Sequence, residues 1–225
     1  MSAVPRIALI HALAHSVAPI NQAMVQAWPE AVRMNLLDDS LSADLARTAA
    51  AGGDGLDAAM HQRFEDLCAY AERTGAQGIL FTCSAFGPCI EAAAARRPHM
   101  PVLKPNEAMV ADAVALGQRV GLIASFAPTL QSMPAEFPAG VELRTALVAQ
   151  AMAALDQGDG EAHDAAVLAA AHTLVTQGCG VIALAQFSMA RAAPLLRHHL
   201  PATVPVLTTP DSAVTALQRR LSRAA

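Results

Sequence analysis

The stretch 75–87, GAQGILFTCSAFG, decides how the chain is read, because it recurs without gaps at 178–190 as GCGVIALAQFSMA. Each copy opens on glycine, runs through a short apolar segment and ends in a polar turn, which is the signature of a buried strand followed by a strand-to-helix turn. The copies lie 103 residues apart, and what surrounds them repeats too. PVLKPNEAMVADAV from Pro101 matches PVLTTPDSAVTALQ from Pro205, 104 residues on, and RIALIHAL from Arg6 resembles RVGLIASF from Arg119. Three pairs in the same order point to two copies of one βα module.

Working outward, apolar runs at 6–10, 32–36, 78–82, 101–103, 119–124, 141–144, 180–185 and 205–207 read as strands. Segments 20–27, 55–73, 88–96, 106–116, 161–176, 190–199 and 211–223 have helical periodicity. The alternation predicts an α/β protein of two similar Rossmann-like three-layer halves, with mainly parallel sheets related by pseudo-twofold symmetry. Residues 1–104 with 205–225 are expected to form the first half and 105–204 the second, the last strand returning to complete the first layer. Ligands of parallel α/β sheets bind beyond the carboxyl ends of the strands, so the turns after His11, Cys83, Ser125 and Gln186 are expected to converge on a cleft.

Composition narrows the function. The 225 residues are 54% hydrophobic, ample for a core, and the net charge of −4 comes with 15 scattered Lys and Arg rather than a basic face. Nucleic acid is therefore not expected as a partner. No apolar stretch reaches the length of a membrane span and the first residues do not read as a signal peptide, so the expectation is a cytoplasmic protein without membrane contact. The four cysteines form neither a CxxC pair nor a zinc-like spacing with histidine. Disulfides and metal are not expected, and His163, His198 and His199 also lack ligand spacing.

Cys83 ends a strand just before a helix. Backbone N–H groups and the helix dipole there should lower its thiol pKa toward neutrality, as a base for a carbon acid requires; the bland alternative is a buried inert thiol. Thr82, Ser84 and the amides at Ser84, Ala85 and Phe86 read either as an anion seat or as ordinary capping. Gln186, Phe187 and Ser188 hold the equivalent place in the second copy. They read as hydrogen-bond donors to a carboxylate or enolate, or as a helix cap. His11 ends the first strand as a substitute acid, an orienting group or a structural residue. Asp38, Asp39 and Ser40 read as a solvated turn with helix capping, or as a second-layer or substrate-amine contact, and Cys68, Cys89 and Cys179 as structural thiols.

The pair Thr82-Cys83-Ser84 and Ala185-Gln186-Phe187-Ser188 resembles the aspartate/glutamate racemase superfamily, which includes hydantoin racemases, maleate isomerase and arylmalonate decarboxylase. The likeness runs from the first strand to the second PVL segment. It implies one cysteine from each half on opposite faces of the substrate α-carbon, the first at Cys83. The second maps onto Gln186, which exchanges no proton at neutral pH. The resemblance also places Ser125, Phe126 and Thr129 where the family supplies hydroxyls to a carboxylate. With no phosphate-binding glycine motif after any strand, it implies a cofactor-independent enzyme acting on a small carboxylate. The expected function is a racemase or epimerase at the α-carbon of a small carboxylic or amino acid. A single-cysteine decarboxylase and a silent small-acid binding protein are the alternatives, and a homo-oligomer is possible.

Overall fold

The computed structural model describes residues 4–53 and 55–224. Eight strands form two separate four-stranded parallel sheets. In the first, β1 (Arg6–His11), β2 (Val32–Leu37), β3 (Gly78–Phe81) and β4 (Val102–Leu103) lie in the order β2-β1-β3-β4. In the second, β5 (Val120–Ala124), β6 (Leu143–Leu147), β7 (Val181–Leu184) and β8 (Val206–Thr208) lie in the order β6-β5-β7-β8. The inner strands β3, β5 and β7 are buried at every residue because helices cover both faces, whereas the edge strands β2 and β6 are largely solvated.

Register confirms the repeat. Ile7 pairs with Gly78 and Ile79 with Val102 in the first sheet; their counterparts Val120 with Val181 and Ile182 with Val206 pair identically in the second. The leading glycine of each copy also has a physical cause. Helices α3 (Ala58–Arg73) and α8 (Gly160–Thr176) both end in a left-handed glycine, Gly75 at φ 82° and Gly178 at φ 84°. The next amides, Ala76 and Cys179, bond back to the carbonyls of Ala71 and Leu174, closing a Schellman cap. Matched arginines complete these ends, Arg6 donating to the Thr74 carbonyl and Arg119 to that of Gln177.

The chain divides into two compact units, one running to Pro105 and resuming at Ala213, the other spanning Asn106–Ser212. The last strand was expected in the first half; it belongs instead to the second sheet, where it pairs with β7 as β4 pairs with β3. What crosses is the following helix. Helix α5 (Glu107–Ala115), which follows β4, packs on β7 and β8, and Asp112 of α5 accepts a 2.6 Å hydrogen bond from Ser212. Helix α10 (Thr209–Ala224), which follows β8, covers the first sheet. A Cβ added at Gly78 would stand 3.1 Å from Leu217 Cδ1, and Gln218 donates to the Ala27 carbonyl.

The first unit's core joins Phe64 and Cys68 of α3 to Phe81, Phe86, Cys89 and Ile90. At its rim the nearly buried Arg97 binds Glu65 and Glu72, satisfying a charge that burial would otherwise penalise. Burial pushes the Cys68 thiol from 9.0 up to about 12, against a smaller pull from Arg97. A raised folded-state value means that the stabilisation is complete below pH 9, where both states are protonated, and is lost as pH rises toward 12. Thermal unfolding across that window should show an alkaline decline to which this thiol adds up to about 1.4 kcal/mol per pH unit. Cys68→Ala should flatten the decline; an unchanged slope would remove Cys68 as its source.

Candidate active site

At the carboxyl ends of β1 and β3, His11, Thr82 and Cys83 come together within the first unit. His11 is fully buried and both ring nitrogens are engaged: Nδ1 lies 2.9 Å from Thr82 Oγ1 and 3.2 Å from Ser16 Oγ, and Nε2 lies 3.0 Å from Asn35 Oδ1. The tautomer follows from an anchored chain. Asn21 of α1 (Val17–Ala27) donates its amide to the Val17 carbonyl at 2.8 Å, so its Nδ2 also faces Asn35 Oδ1. Asn35 thus presents an acceptor to His11 Nε2, which carries the proton. Burial lowers the His11 pKa, outweighing the Asn35 bond that raises it, so the neutral ring accepts at Nδ1 from the Thr82 hydroxyl. This geometry ties His11 to Thr82, the residue that precedes Cys83. The Thr82 hydroxyl, expected at a substrate carboxylate, is turned inward to His11 and Ser16.

Cys83 follows β3 in extended conformation (φ −124°, ψ 123°) and opens a single 3₁₀ turn, Ser84–Phe86, ahead of α4 (Gly87–Ala95). Of the four thiols it alone is not fully buried. Its pKa was expected to fall, yet it is raised: burial against the apolar core dominates, and hydrogen bonds from the Ala85 N–H and the Ser42 hydroxyl pull only partly the other way. One short turn supplies a weaker dipole than a long helix. Iodoacetamide should therefore modify Cys83 first but slowly at neutral pH, with a rate that climbs past the ordinary thiol range. Peptide mapping checks this, and prior labelling of Cys68, Cys89 or Cys179 in the folded protein would contradict it.

The second unit repeats the scaffold with different chemistry. Gln186 occupies the place of Cys83, and its Oε1 accepts hydrogen bonds from the Ser125 N–H and, at 3.0 Å, from the Ser125 hydroxyl. Ser125 follows β5 as Ala12 follows β1. The polar set beneath the thiol is mostly erased here: His11 and Thr82 correspond to Ala124 and Ala185, and Ser16 to the buried Thr129. Phe187 and Ser188 are buried in a 3₁₀ segment, Phe187–Ala192, and Phe126 is half-buried at the start of α6 (Ala127–Ser132). Ser188 does not cap α9 (Ala193–His199), whose cap is Ala192.

Within the first unit His11 meets Thr82, and within the second Ser125 meets Gln186; Ser84 and Ala85 follow β3, Phe126 and Thr129 follow β5, and Phe187 and Ser188 follow β7. Sequence reading missed Ser16, Asn35 and Ser42. Alignment of Ser16 with Thr129 in the repeat was a usable signal for the first; no comparable signal marks the other two. Among the described residues no group of three or more His, Cys, Asp or Glu could hold a metal ion, and no helix is long and apolar enough to cross a membrane.

Comparison with known proteins places this scaffold. The family model for Asp/Glu/hydantoin racemases matches residues 14–217. A comparison with curated protein sequences returned no match. Similar solved structures include a glutamate racemase isoform from Bacillus anthracis, with TM-score 0.73 at 11% identity over 97% of this chain and 82% of that one. An allantoin racemase from Klebsiella pneumoniae gives TM-score 0.66 at 18% identity, covering 97% and 88%. A cysteine-for-glycine mutant of arylmalonate decarboxylase in a sulfate-associated form gives 0.62 at 17%, covering 98% and 95%.

Proposed function

The chain belongs to the Asp/Glu/hydantoin racemase family, and from that premise we propose that it is a cofactor-independent racemase or epimerase acting at the carbon beside the carboxylate of a small organic or amino acid, with Cys83 as the acid/base thiol. The observation that carries this reading is the position of Cys83. It is the one thiol with solvent access, and it stands at the carboxyl end of an inner strand. The thiolate takes the α-proton from one face; inversion follows when the planar carbanion receives a proton from water on its other face, and the thiol returns its proton when the same face is protonated. His11 holds Thr82, and through it the turn, in place. Gln186 offers no proton, and its Oε1 is taken by the Ser125 N–H and hydroxyl.

A decarboxylase is the second reading, favoured by two observations. The Cys83 thiol is held protonated by burial, and an amide stands where the family's second thiol would be. Loss of carbon dioxide would generate the enediolate, and one neutral thiol would suffice to protonate it. Incubation in heavy water with amino acids, hydantoins and dicarboxylates separates the readings. Deuterium at the α-carbon with loss of optical activity supports the racemase, and stoichiometric carbon dioxide the decarboxylase. Saturable binding without either would sink both and leave a binding protein.

A further inference from the structure

Gly78 opens β3 and Cys83 follows its far end, so Leu217 and Leu221, which meet beside Gly78, place the last turns of α10 at the end of the sheet away from the thiol. There the turn that leads into β2 faces α10 across a groove of about 530 Å³. Thr215, Arg219, Ser222 and Arg223 recur at helical spacing, so they form one stripe along the α10 wall. Trp28, 7% exposed, and Glu30 line the opposite wall. Gln218 fastens the two walls, its amide donating to the Ala27 carbonyl at 2.9 Å.

The cationic charge in this groove is uncompensated. Among the described residues neither Arg219 nor Arg223 has an ion-pair partner, and Glu30 pairs with neither of them. The Ser222 hydroxyl is already given to the Gln218 carbonyl at 2.9 Å, which leaves the guanidiniums as the open donors. A third guanidinium on this face is also incomplete. Arg33 pairs in register with Ile7, which meets Leu217 and Leu221 around Gly78, and its Nη1 is buried with no hydrogen-bond partner among the described residues. The second unit has a groove in the same place, between α5 and the turn before β6, and there the charge is cancelled. Its Arg119 donates to Glu142 at 2.6 Å, and Val114 and Ala115 stand where α10 has Gln218 and Arg219. Holding a helix on the sheet therefore needs no bare arginine, since α5 does so without one.

We propose that this groove binds a phosphate monoester, a small molecule whose dianionic group is held between Arg219 and Arg223 and whose body lies along Trp28. Charge selects phosphate. Two guanidinium forks match a dianion with three acceptor oxygens, whereas a single carboxylate would leave one cation over. Glu30 faces the same anion and limits the affinity. No bond is made or broken here, and the site stands whether or not Cys83 is the acid/base group.

The test titrates the full chain with phenyl phosphate, inorganic phosphate and benzoate, followed by calorimetry and by the emission of Trp28, the one tryptophan in the chain. Phenyl phosphate should bind saturably, change the Trp28 emission and bind less tightly as salt is added. Arg219→Gln and Arg223→Gln should each weaken it about fivefold, the scale of one exposed charged pair, and Glu30→Gln should tighten it. All three side chains are exposed, so these substitutions leave the core untouched. Binding that leaves the Trp28 emission unchanged, or that survives in the Arg219→Gln/Arg223→Gln double variant, overturns the site, as does the absence of saturable binding. Benzoate bound as tightly as phenyl phosphate overturns the phosphate assignment, and inorganic phosphate bound as tightly overturns the contact with Trp28.

Discussion

Cys83→Ser should lower α-proton exchange by ~10² to 10⁴, the usual contribution of a positioned acid/base group, on whichever acid the parent turns over. Serine nearly preserves the size of the side chain, but its hydroxyl ionises far above any working pH. Binding should survive while exchange is lost, a pattern that separates proton transfer from assembly of the site. Isotope exchange and equilibrium binding on the same preparation check it. Exchange retained within a few-fold would move the chemistry away from this thiol.

The other large effect lies in the core beneath the same turn. Phe64 is almost fully buried, with its ring centroid 5.1 Å from that of Phe81 and 5.0 Å from that of Phe86. Phe81 ends β3 and Phe86 closes the turn that begins at Cys83, so one ring supports both sides of the thiol. Phe64→Ala should destabilise the protein by ~3–5 kcal/mol through lost burial and the cavity left behind. Tyr70→Ala, on the exposed side of the same helix, should cost less than ~1 kcal/mol. Urea unfolding of both variants decides; equal costs would mean that the first unit's core repacks freely around position 64.

Six strands were legible because their short apolar runs recur in the three repeated segments; those read at 32–36 and 141–144 lie outside the repeats, and the second was placed ahead of the observed Leu143–Leu147. Helices were less so. The helix at Ser40–Ala50 and those at Ala127–Ser132 and Ala149–Asp156 escaped, the last two being short and the first polar over most of its surface. The strand at Val206–Thr208 was assigned to the wrong half, although the PVL repeat already paired it with β4. The site was legible as a position but not as an electrostatic environment. Cys83 stands at a strand end as read, while the direction of its pKa depends on how deeply the core encloses the sulfur, which no spacing encodes. Ser42 and Asn35 were invisible for a related reason: each meets its partner through tertiary packing, 41 and 24 residues away in sequence.

The exchange of helices after β4 and β8 sets an order of assembly during synthesis. Residues 106–212 form a contiguous unit, and once translated they hold all of its strands and its covering helix α5. The first sheet is made earlier but stays uncovered beside Gly78 until Leu217 has been added, 139 residues later. Domains usually fold as they emerge, N-terminal part first. Here the nascent N-terminal sheet must wait for the far end of the chain, with an apolar face open to chaperones or to neighbouring nascent chains. The second unit's residues are all made by Ser212, whereas the first lacks its cover over Gly78 until Leu217 follows, so the unit that carries the thiol is the last to be completed in sequence.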